Sequence, residues 1–332
     1  MKTQQENYLR NCGIGVAMGI LALTVGALSA AAQPQVSFTF QNVSVPGAAE
    51  TDAYAINDKN VIAGDYFNAA GQQIGLFLSG KKVTSVSCPD GGPTVFTGVN
   101  SSGTAVEGLD DGPGGAAAKG LDDGGDDYCG NGATTYLILH HEWGFTPQNW
   151  GSIYTVAYGI NDVGIVVGQW IDSSNVTHGF SYNLDADVFT DIDVPDAVAT
   201  VAWAVNNAGV ITLQAEDPNG NWHAYLFNGS SFTQIDVPGA AQTFVYGINN
   251  NGDVVYSVED ATGNDWGVFF YADVQQFIWF NNSDGRDTTR AFGLNDEVIT
   301  KTGNTTLKIV GEYTAPASGQ NYAYEATVTI KP

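Results

Sequence analysis

Residues 157–168 read AYGINDVGIVVG, and this stretch contains the pattern that decides the fold. A small residue, an aliphatic residue and Asn161 end a segment in which large and small side chains alternate, and Gly164 follows three positions later. Asn at the first position and Gly at the fourth favour a tight turn, because the Asn side chain caps its own backbone and Gly tolerates positive φ. The stretch therefore predicts a β-strand, a turn and a second strand over residues 165–168.

The same centre recurs six times along the chain. Its Asn residues are Asn57, Asn100, Asn161, Asn206, Asn249 and Asn295, which are separated by 43, 61, 45, 43 and 46 positions. In four copies a Pro lies eleven positions before the Asn, namely Pro46, Pro89, Pro195 and Pro238. Two markers that stay in step indicate a true repeat, and the longest spacing indicates one insertion.

Each unit contains segments for four short strands and shows no helical periodicity. A second turn of the same type follows the second strand, with Gly three positions after Asn68, Asp111, Asp217 and Asp260. Four strands in about 45 residues, repeated six times, predict an all-β fold and a six-bladed β-propeller of four-stranded blades. The alternative is an open β-solenoid with exposed end repeats.

The ends of the chain favour the closed propeller. The last unit supplies only three strands, at residues 291–295, 308–313 and 322–330, whereas residues 36–43 are left over before the first unit. We expect this N-terminal strand to complete the last blade, because such an exchange closes the ring and removes the open edges that invite aggregation.

An aromatic residue lies three positions before the Asn in five of the six units. These residues are Tyr54, Tyr158, Trp203, Tyr246 and Phe292. We interpret them as core residues that wedge between neighbouring sheets, with stacking against a ligand as the alternative. The small residues beside them predict close approach of the strands at a crowded centre.

The first 32 residues differ from the rest of the chain. Lys2 and Arg10 precede an apolar run over residues 13–32 that ends in small residues, which is typical of a cleaved signal peptide. A retained N-terminal anchor is the alternative, since the run approaches the ~20 residues that span a bilayer. We therefore predict a signal peptide at 1–32, a propeller at 33–332, no further membrane span, and a secreted or periplasmic location.

Two cysteines remain if this peptide is removed. Cys12 leaves with the peptide, while Cys88 and Cys129 stay in the mature chain. An exported compartment permits disulfide formation, so a bond between the two is the preferred interpretation and two free thiols are the alternative.

The chain is strongly acidic. Its formal net charge is −24, and removal of Lys2, Arg10 and Glu6 with the signal peptide changes this to −25. Nucleic acid and anionic membrane surfaces are poor partners, because binding a polyanion needs a basic footprint. Cations, basic proteins and neutral glycans are better partners, and the charge also promotes solubility in general.

The turns between second and third strands lie on the same face of a propeller as the connections between blades, and we predict that this face binds the ligand. It would gather six carboxylates: Asp111, Asp172, Glu216, Asp217, Glu259 and Asp260.

The insertion, at about residues 115–133 of the second unit, is rich in Gly and Asp. The candidate metal ligands in and beside it are Asp110, Asp122, Asp123, Asp126 and Asp127. Hard oxygen ligands among flexible glycines suit calcium, although the spacing is not that of an EF-hand and a solvated acidic loop is the alternative.

No catalytic signature stands out in the sequence. The group His140, His141 and Glu142 does not match the spacing of zinc motifs, and no nucleophile elbow or phosphate loop occurs. The sequence therefore predicts a noncatalytic binding or scaffold module for glycans or extracellular proteins. The alternative is a calcium-dependent extracellular hydrolase or lyase at the mouth of the channel.

These repeats resemble the bacterial extracellular HAF family, whose units carry Gly-Ile-Asn-x-x-Gly, Val-Val-Gly and a His-Ala-Phe triplet. The triplet is only partly kept, in residues 178–180 and 223–225, while Ile74, Trp266 and Tyr322 take the place of His elsewhere. The resemblance covers residues 36–332 and implies export and a propeller-like fold. It offers no catalytic residues to carry over.

Overall fold

A computed structural model describes residues 34–87, 93–107, 154–282, 288–315 and 318–332. The chain forms a β-propeller whose blades are antiparallel four-stranded sheets. Over these residues, none of the helical structure is long and apolar enough to cross a membrane.

In each unit the strands are arranged in chain order from the channel outward, and we call the first of them the inner strand. The N-terminal strand is β1 (Gln35–Val43), and the first unit contains β2 (Glu50–Ile56), β3 (Val61–Phe67), β4 (Gln73–Ser79) and β5 (Lys82–Val86). The second unit contains β6 (Phe96–Val99) and β7 (Ala105–Glu107), and the third contains β8 (Tyr154–Ile160), β9 (Ile165–Ile171), β10 (Thr177–Asn183) and β11 (Val188–Ile192).

The remaining three units follow the same order. The fourth contains β12 (Ala199–Val205), β13 (Ile211–Glu216), β14 (Trp222–Phe227) and β15 (Phe232–Gln234). The fifth contains β16 (Gln242–Ile248), β17 (Val254–Glu259), β18 (Asp265–Tyr271), a short 3-10 helix (Ala272–Val274) and β19 (Gln276–Phe280). The sixth contains β20 (Thr289–Leu294), β21 (Val298–Ile299), β22 (Thr305–Thr314) and β23 (Asn321–Lys331).

The described residues form five four-stranded blades and not the predicted six. In the second unit only the hairpin of β6 and β7 is described, as a two-stranded sheet. The sequence that was expected to form the outer strands of this unit falls within residues 108–153, which lie outside the described residues.

The predicted exchange of the N-terminal strand is confirmed. Strand β1 pairs with β23 in antiparallel register, from Gln35 opposite Lys331 to Val43 opposite Ala323, and so completes the last blade. Phe38 on this strand stacks on Phe280 of the fifth unit with ring centroids 4.6 Å apart. The N-terminal strand therefore joins the last blade to the blade before it as well as filling its own sheet.

The hydrophobic core is divided among the contacts between successive units. Phe77 of the first unit packs with Phe96 of the second, and Val167 of the third packs with Leu213 of the fourth. The ring closes where Ile62 of the first unit packs with Val310 of the sixth. Each unit is thus stabilised by its two neighbours, since a single sheet cannot bury both of its faces.

The repeated Asn residues link the units at one end of the channel, which we call the bottom face. Asn161 accepts hydrogen bonds at Oδ1 from the N–H groups of Val163 and Ile165, so it caps its own turn as predicted. Its Nδ2 also donates to the carbonyl oxygen of Asn206, at 2.9 Å. This second role connects neighbouring units and was not predicted.

The same hydrogen bond, from the Asn side chain of one unit to the backbone of the next, recurs around the ring. Nδ2 of Asn57, Asn100, Asn206 and Asn249 donates to the carbonyl oxygen of the next Asn, at 2.8, 3.1, 3.2 and 3.2 Å. In the last unit, Asn295 donates to Oδ1 of Asn60 instead, at 3.2 Å. Six units, including the second, therefore take part in one circle of side-chain hydrogen bonds.

Candidate ligand site in the central channel

Every inner strand contains a β-bulge at the same position. The register with the second strand shifts between Ala157 and Gly159 in the third unit, so the ladder passes over Tyr158. The other residues passed over in this way are Tyr54, Thr97, Trp203, Tyr246 and Phe292. A bulge re-aims a side chain, and here all six side chains line a cavity of about 270 Å³ in the channel.

The five aromatic rings form a continuous arc around this cavity. Tyr158 stacks on Trp203 at 4.3 Å, and Trp203 meets Tyr246 edge to face at 4.8 Å. Phe292 meets Tyr246 at 5.1 Å and Tyr54 at 5.7 Å. The structure thus places these residues in the channel, whereas the sequence interpretation placed them between the sheets.

The arc is interrupted only in the second unit, where Thr97 replaces the aromatic residue. Its hydroxyl group donates to the carbonyl oxygen of Ala157 at 3.0 Å, so this side of the channel has a small polar wall. The cavity therefore has an aromatic side and a side without a ring.

Small residues allow the inner strands to approach closely, as the sequence predicted. A Cβ atom on Gly159 would lie 2.7 Å from the backbone oxygen of Trp203, and one on Gly293 would lie 2.9 Å from that of Tyr54. Contacts below 3 Å to backbone atoms cannot be relieved by a side-chain rotation. The backbones of neighbouring inner strands are therefore held near each other around the arc.

The bottom end of the channel narrows to a pocket of about 80 Å³. A second circle of hydrogen bonds surrounds it, formed by the residues that follow the repeated Asn. For example, the N–H of Asp162 donates to Asn207 Oδ1 at 2.9 Å, and the N–H of Asp296 donates to Asp58 Oδ1 at 2.8 Å. Because these side chains already bond to neighbouring units, we expect a ligand to enter from the opposite end.

That opposite end, which we call the top face, holds charged side chains two positions before the bulged residue of the inner strand. Arg290 lines the cavity and lies directly opposite Glu312 in the register of the last blade. Its guanidinium donates to Asp265 at 2.7 and 2.9 Å and to Glu312 at 3.2 Å. The positive charge is therefore already paired with two carboxylates.

In the first unit the equivalent two positions are both acidic. Asp52 and Asp65 face each other across β2 and β3, with exposed fractions of 7% and 0%. Asp65 accepts a hydrogen bond at Oδ2 from Gln73 Nε2, at 2.9 Å, whereas its Oδ1 is buried with no hydrogen-bond partner. Two like charges cannot both be buried here without cost.

Burial and charge repulsion both act on this pair. Burial, together with the nearby carboxylates Asp65, Glu50 and Glu312, raises the pKa of Asp52 to about 8. Burial also raises the pKa of Asp65 to about 6, although the bond from Gln73 opposes the shift. At neutral pH the pair therefore retains one proton and carries one negative charge.

The predicted ligand-face carboxylates that the structure describes do lie on the top face. Glu216 and Glu259 end second strands, opposite the first residues of the inner strands. Asp172, Asp217 and Asp260 each cap the turn between second and third strands of their own blade. Asp111 lies outside the described residues.

The carboxylates of Asp172, Asp217 and Asp260 accept hydrogen bonds from N–H groups of their own turns. Hydrogen bonds from turn N–H groups and neighbouring side chains lower the pKa of Asp217 and that of Asp260 below the usual range. His223 lies near Asp217 at 3.6 Å and bonds to Asp236 at 2.7 Å, while Trp266 donates its indole N–H to Asp260 at 3.0 Å. The His position of the triplet therefore fastens a turn to its blade, and Trp266 replaces it in that role.

The predicted calcium ligands Asp110, Asp122, Asp123, Asp126 and Asp127 lie outside the described residues, as do Cys88, Cys129 and the insertion at 115–133. Calcium binding and the disulfide bond therefore stay predictions. Within the ranges that the structure covers, no group of three or more His, Cys, Asp or Glu side chains is arranged to hold a metal ion.

The sequence could have shown part of this site. The aromatic residues are visible three positions before each Asn, but the bulge that turns them into the channel leaves no mark in an alternating pattern. Asp52 and Asp65 were missed because they are thirteen positions apart and meet only through the register of β2 and β3.

A scan against known protein families finds no match for the chain, and a search of curated proteins finds none either. Solved structures give distant likenesses. AofleA from Arthrobotrys oligospora is 9% identical, with 87% of this chain and 85% of that chain covered and a TM-score of 0.42.

Two further likenesses are of the same order. A proposed TolB from Agrobacterium tumefaciens is 13% identical over 90% of this chain and 99% of its own, with a TM-score of 0.46. The SapL1 lectin, solved with alpha methyl fucoside, is 11% identical over 80% of this chain and 94% of its own, with a TM-score of 0.39. None of these likenesses assigns a ligand to this chain.

Proposed function

We propose that this protein is an extracellular binding module that holds one sugar unit of a glycan in its central channel. The observation that supports the proposal is the arc of five aromatic rings, each re-aimed by a β-bulge toward one cavity of about 270 Å³. Packing between sheets would not need the same bulge in every inner strand. A lining built in this way suits a function in the channel.

The chemistry of the cavity suits a saccharide. A sugar ring presents an apolar C–H face, which stacks on aromatic rings, and hydroxyl groups at its edge, which need hydrogen-bonding partners. The aromatic arc offers such faces, while Arg290, which lines the cavity at the top face, offers N–H donors. The indole Nε1 of Trp203 is buried beside the cavity with no hydrogen-bond partner.

The size of the cavity limits the ligand. Pockets for drug-sized molecules measure roughly 300 to 1,000 Å³, so a cavity of about 270 Å³ admits a single ring and not an oligosaccharide. We therefore expect one binding site per molecule. Sites between blades would instead repeat around the ring and give several ligands per molecule.

A glycan array followed by calorimetric titration of the mature protein tests this proposal. Fucosides belong among the probes because the SapL1 complex contains one. We expect binding at a ratio of one to one, and we expect Trp203→Leu to weaken it at least tenfold by removing a stacking surface in the arc.

Trp279→Leu is the matched control, since Trp279 is 37% exposed on an outer strand of the fifth unit. It should leave the affinity unchanged. Several ligands per molecule, or an equal loss of affinity in both variants, would show that the channel is not the site.

We also propose that the second unit completes a sixth blade. Support comes from Asn100, which bonds to the units on both sides in the bottom circle, and from Phe96, which packs in the first unit's cluster. Export through the signal at 1–32 and membership of the HAF family are proposed on the sequence pattern alone.

A further inference from the structure

The floor of the channel cavity is formed by a ring of aliphatic residues, one from each unit. Each directly precedes a repeated Asn, and each has an exposed fraction of 6 to 8%. We call this ring the aliphatic collar, and its members are Ile56, Val99, Ile160, Val205, Ile248 and Leu294. All six also line the pocket of about 80 Å³ at the bottom face, so the collar separates the two cavities.

The channel cavity therefore changes in polarity along its length. Its mouth at the top face holds Arg290, its wall holds the arc of aromatic rings, and its floor is the collar. The repeated Asn side chains lie on the far side of the collar, where they bond to neighbouring units. A ligand that enters from the top face thus meets polar groups first and hydrocarbon side chains last.

A hydroxyl group pressed against the collar would be unfavourable. It would leave water without meeting a hydrogen-bonding side chain among the six collar residues, and an unsatisfied hydroxyl group is costly to bury. A methyl group in the same place exchanges water for contact with aliphatic carbon, which is favourable. The collar therefore favours a ligand whose innermost group is a methyl group.

We propose that the sugar held in the channel is a 6-deoxyhexose, whose methyl group contacts the aliphatic collar. This inference rests on the proposed function and names the class of sugar. A 6-deoxyhexose has a methyl group at carbon 6 in place of a hydroxymethyl group, and its ring hydroxyls point away from that methyl toward the mouth. The aromatic arc lies between these two ends, beside the sugar ring.

Sugars that differ only at carbon 6 test the inference by calorimetric titration of the mature protein. L-Fucose is compared with L-galactose, L-rhamnose with L-mannose, and 6-deoxy-D-glucose with D-glucose. We expect the 6-deoxy member of at least one pair to bind about tenfold more tightly or better, which is the discrimination that an apolar pocket achieves against an added hydroxyl group.

A pentose shows whether the methyl group or the smaller size causes the preference. The pentose that lacks carbon 6, such as D-xylose in the glucose series, is smaller still but brings no methyl group to the collar. It should therefore bind more weakly than the 6-deoxy sugar.

A substitution in the collar locates the methyl group. Val205→Thr keeps the shape of the side chain but adds a hydroxyl group that can pair with a hydroxymethyl group, so it should reduce the preference about fivefold. Val188→Thr is the control, because Val188 is 51% exposed on the outer strand β11. It should leave the preference unchanged.

The outcomes separate the two proposals. Equal affinity within every pair, or a pentose that binds as tightly as its 6-deoxy sugar, overturns the methyl subsite but leaves the sugar channel intact. A preference that Val205→Thr does not reduce overturns the placement at the collar. Failure of every sugar, on the array and in the titrations, overturns both proposals. If Val205→Thr does not fold, the comparison of hexose, 6-deoxy sugar and pentose on the wild type still decides.

Discussion

Single residues in this protein divide into those that satisfy their polar groups locally and those that do not. Asp217 and Asp260 accept hydrogen bonds from the turns they cap, so they stabilise the fold most when they are ionised. Asp52 and Asp65 are buried side by side and are least costly when protonated. The two kinds of carboxylate therefore give the stability opposite dependences on pH.

The sign of the effect at Asp52 follows from its raised pKa. An unfolded Asp titrates near 3.9, so the folded chain holds this proton more tightly, with a pKa of about 8. The groups around it, Glu50, Asp65 and Glu312, add only negative charge. The favourable contribution is complete in acid and is lost as the pH rises through about 6 for Asp65 and about 8 for Asp52.

We therefore predict that the melting temperature falls between mildly acidic and alkaline pH. Asp52→Asn should flatten this fall, because an amide cannot ionise, and should raise the alkaline stability by about 2 kcal/mol. Thermal melts followed by circular dichroism across this pH range measure both effects. Asp185→Asn, at an exposed carboxylate in a turn of the third unit, serves as control, and an Asp52→Asn variant that is less stable than the wild type in alkali would refute the assignment.

Among the elements, the turn after each inner strand connects local structure to the ring. The Asn oxygen caps the turn within one unit, while the Asn nitrogen donates to the carbonyl of the next unit. The first role is evident in the sequence because it involves residues two and four positions apart. The second is hidden because the partner is about 45 positions away and depends on how the sheets pack.

Replacing the amide by a carboxylate separates these roles. Asn161→Asp keeps an oxygen for the turn, but it removes the donor to Asn206 and places a negative group beside that carbonyl. We expect a loss of about 2 kcal/mol or more in the free energy of unfolding. Denaturant titration of the purified variant measures it.

Asn228→Asp is the control for this substitution. Asn228 also caps a turn, accepting from the N–H groups of Ser230 and Ser231, but it is exposed. We expect a change within about 0.5 kcal/mol. Equal effects at positions 161 and 228 would mean that the bond between units contributes nothing.

At the scale of the whole molecule, the sequence revealed the repeat, the order of strands and the strand exchange. These were accessible because strands and turns depend on neighbouring residues, and because the last unit lacked a strand that residues 36–43 could supply. The channel lining was not accessible, since it depends on six bulges. The described Asp residues of the predicted ligand face cap turns, and that this face binds a ligand stays a prediction.

The N-terminal strand completes the blade at which the ring closes, and its loss should affect the whole propeller. Without β1, strand β23 would become an open edge along nine residue pairs, and Phe280 would lose the ring of Phe38. An open edge with freed backbone groups invites aggregation. We predict that a chain beginning at residue 44 aggregates or melts well below a chain beginning at residue 34, as measured by gel filtration and thermal melting.

A peptide of residues 34–44 added to the shortened chain tests whether pairing itself is responsible. It should bind at the edge of β23 and restore most of the melting temperature, because it returns the same hydrogen bonds and the same aromatic contacts. The same peptide with Phe38→Ala and Phe40→Ala should rescue poorly, since it restores the ladder without the packing on Phe280 and Tyr324. A chain beginning at residue 44 that melts like the chain beginning at residue 34 would show that the ring closes without its N-terminal strand.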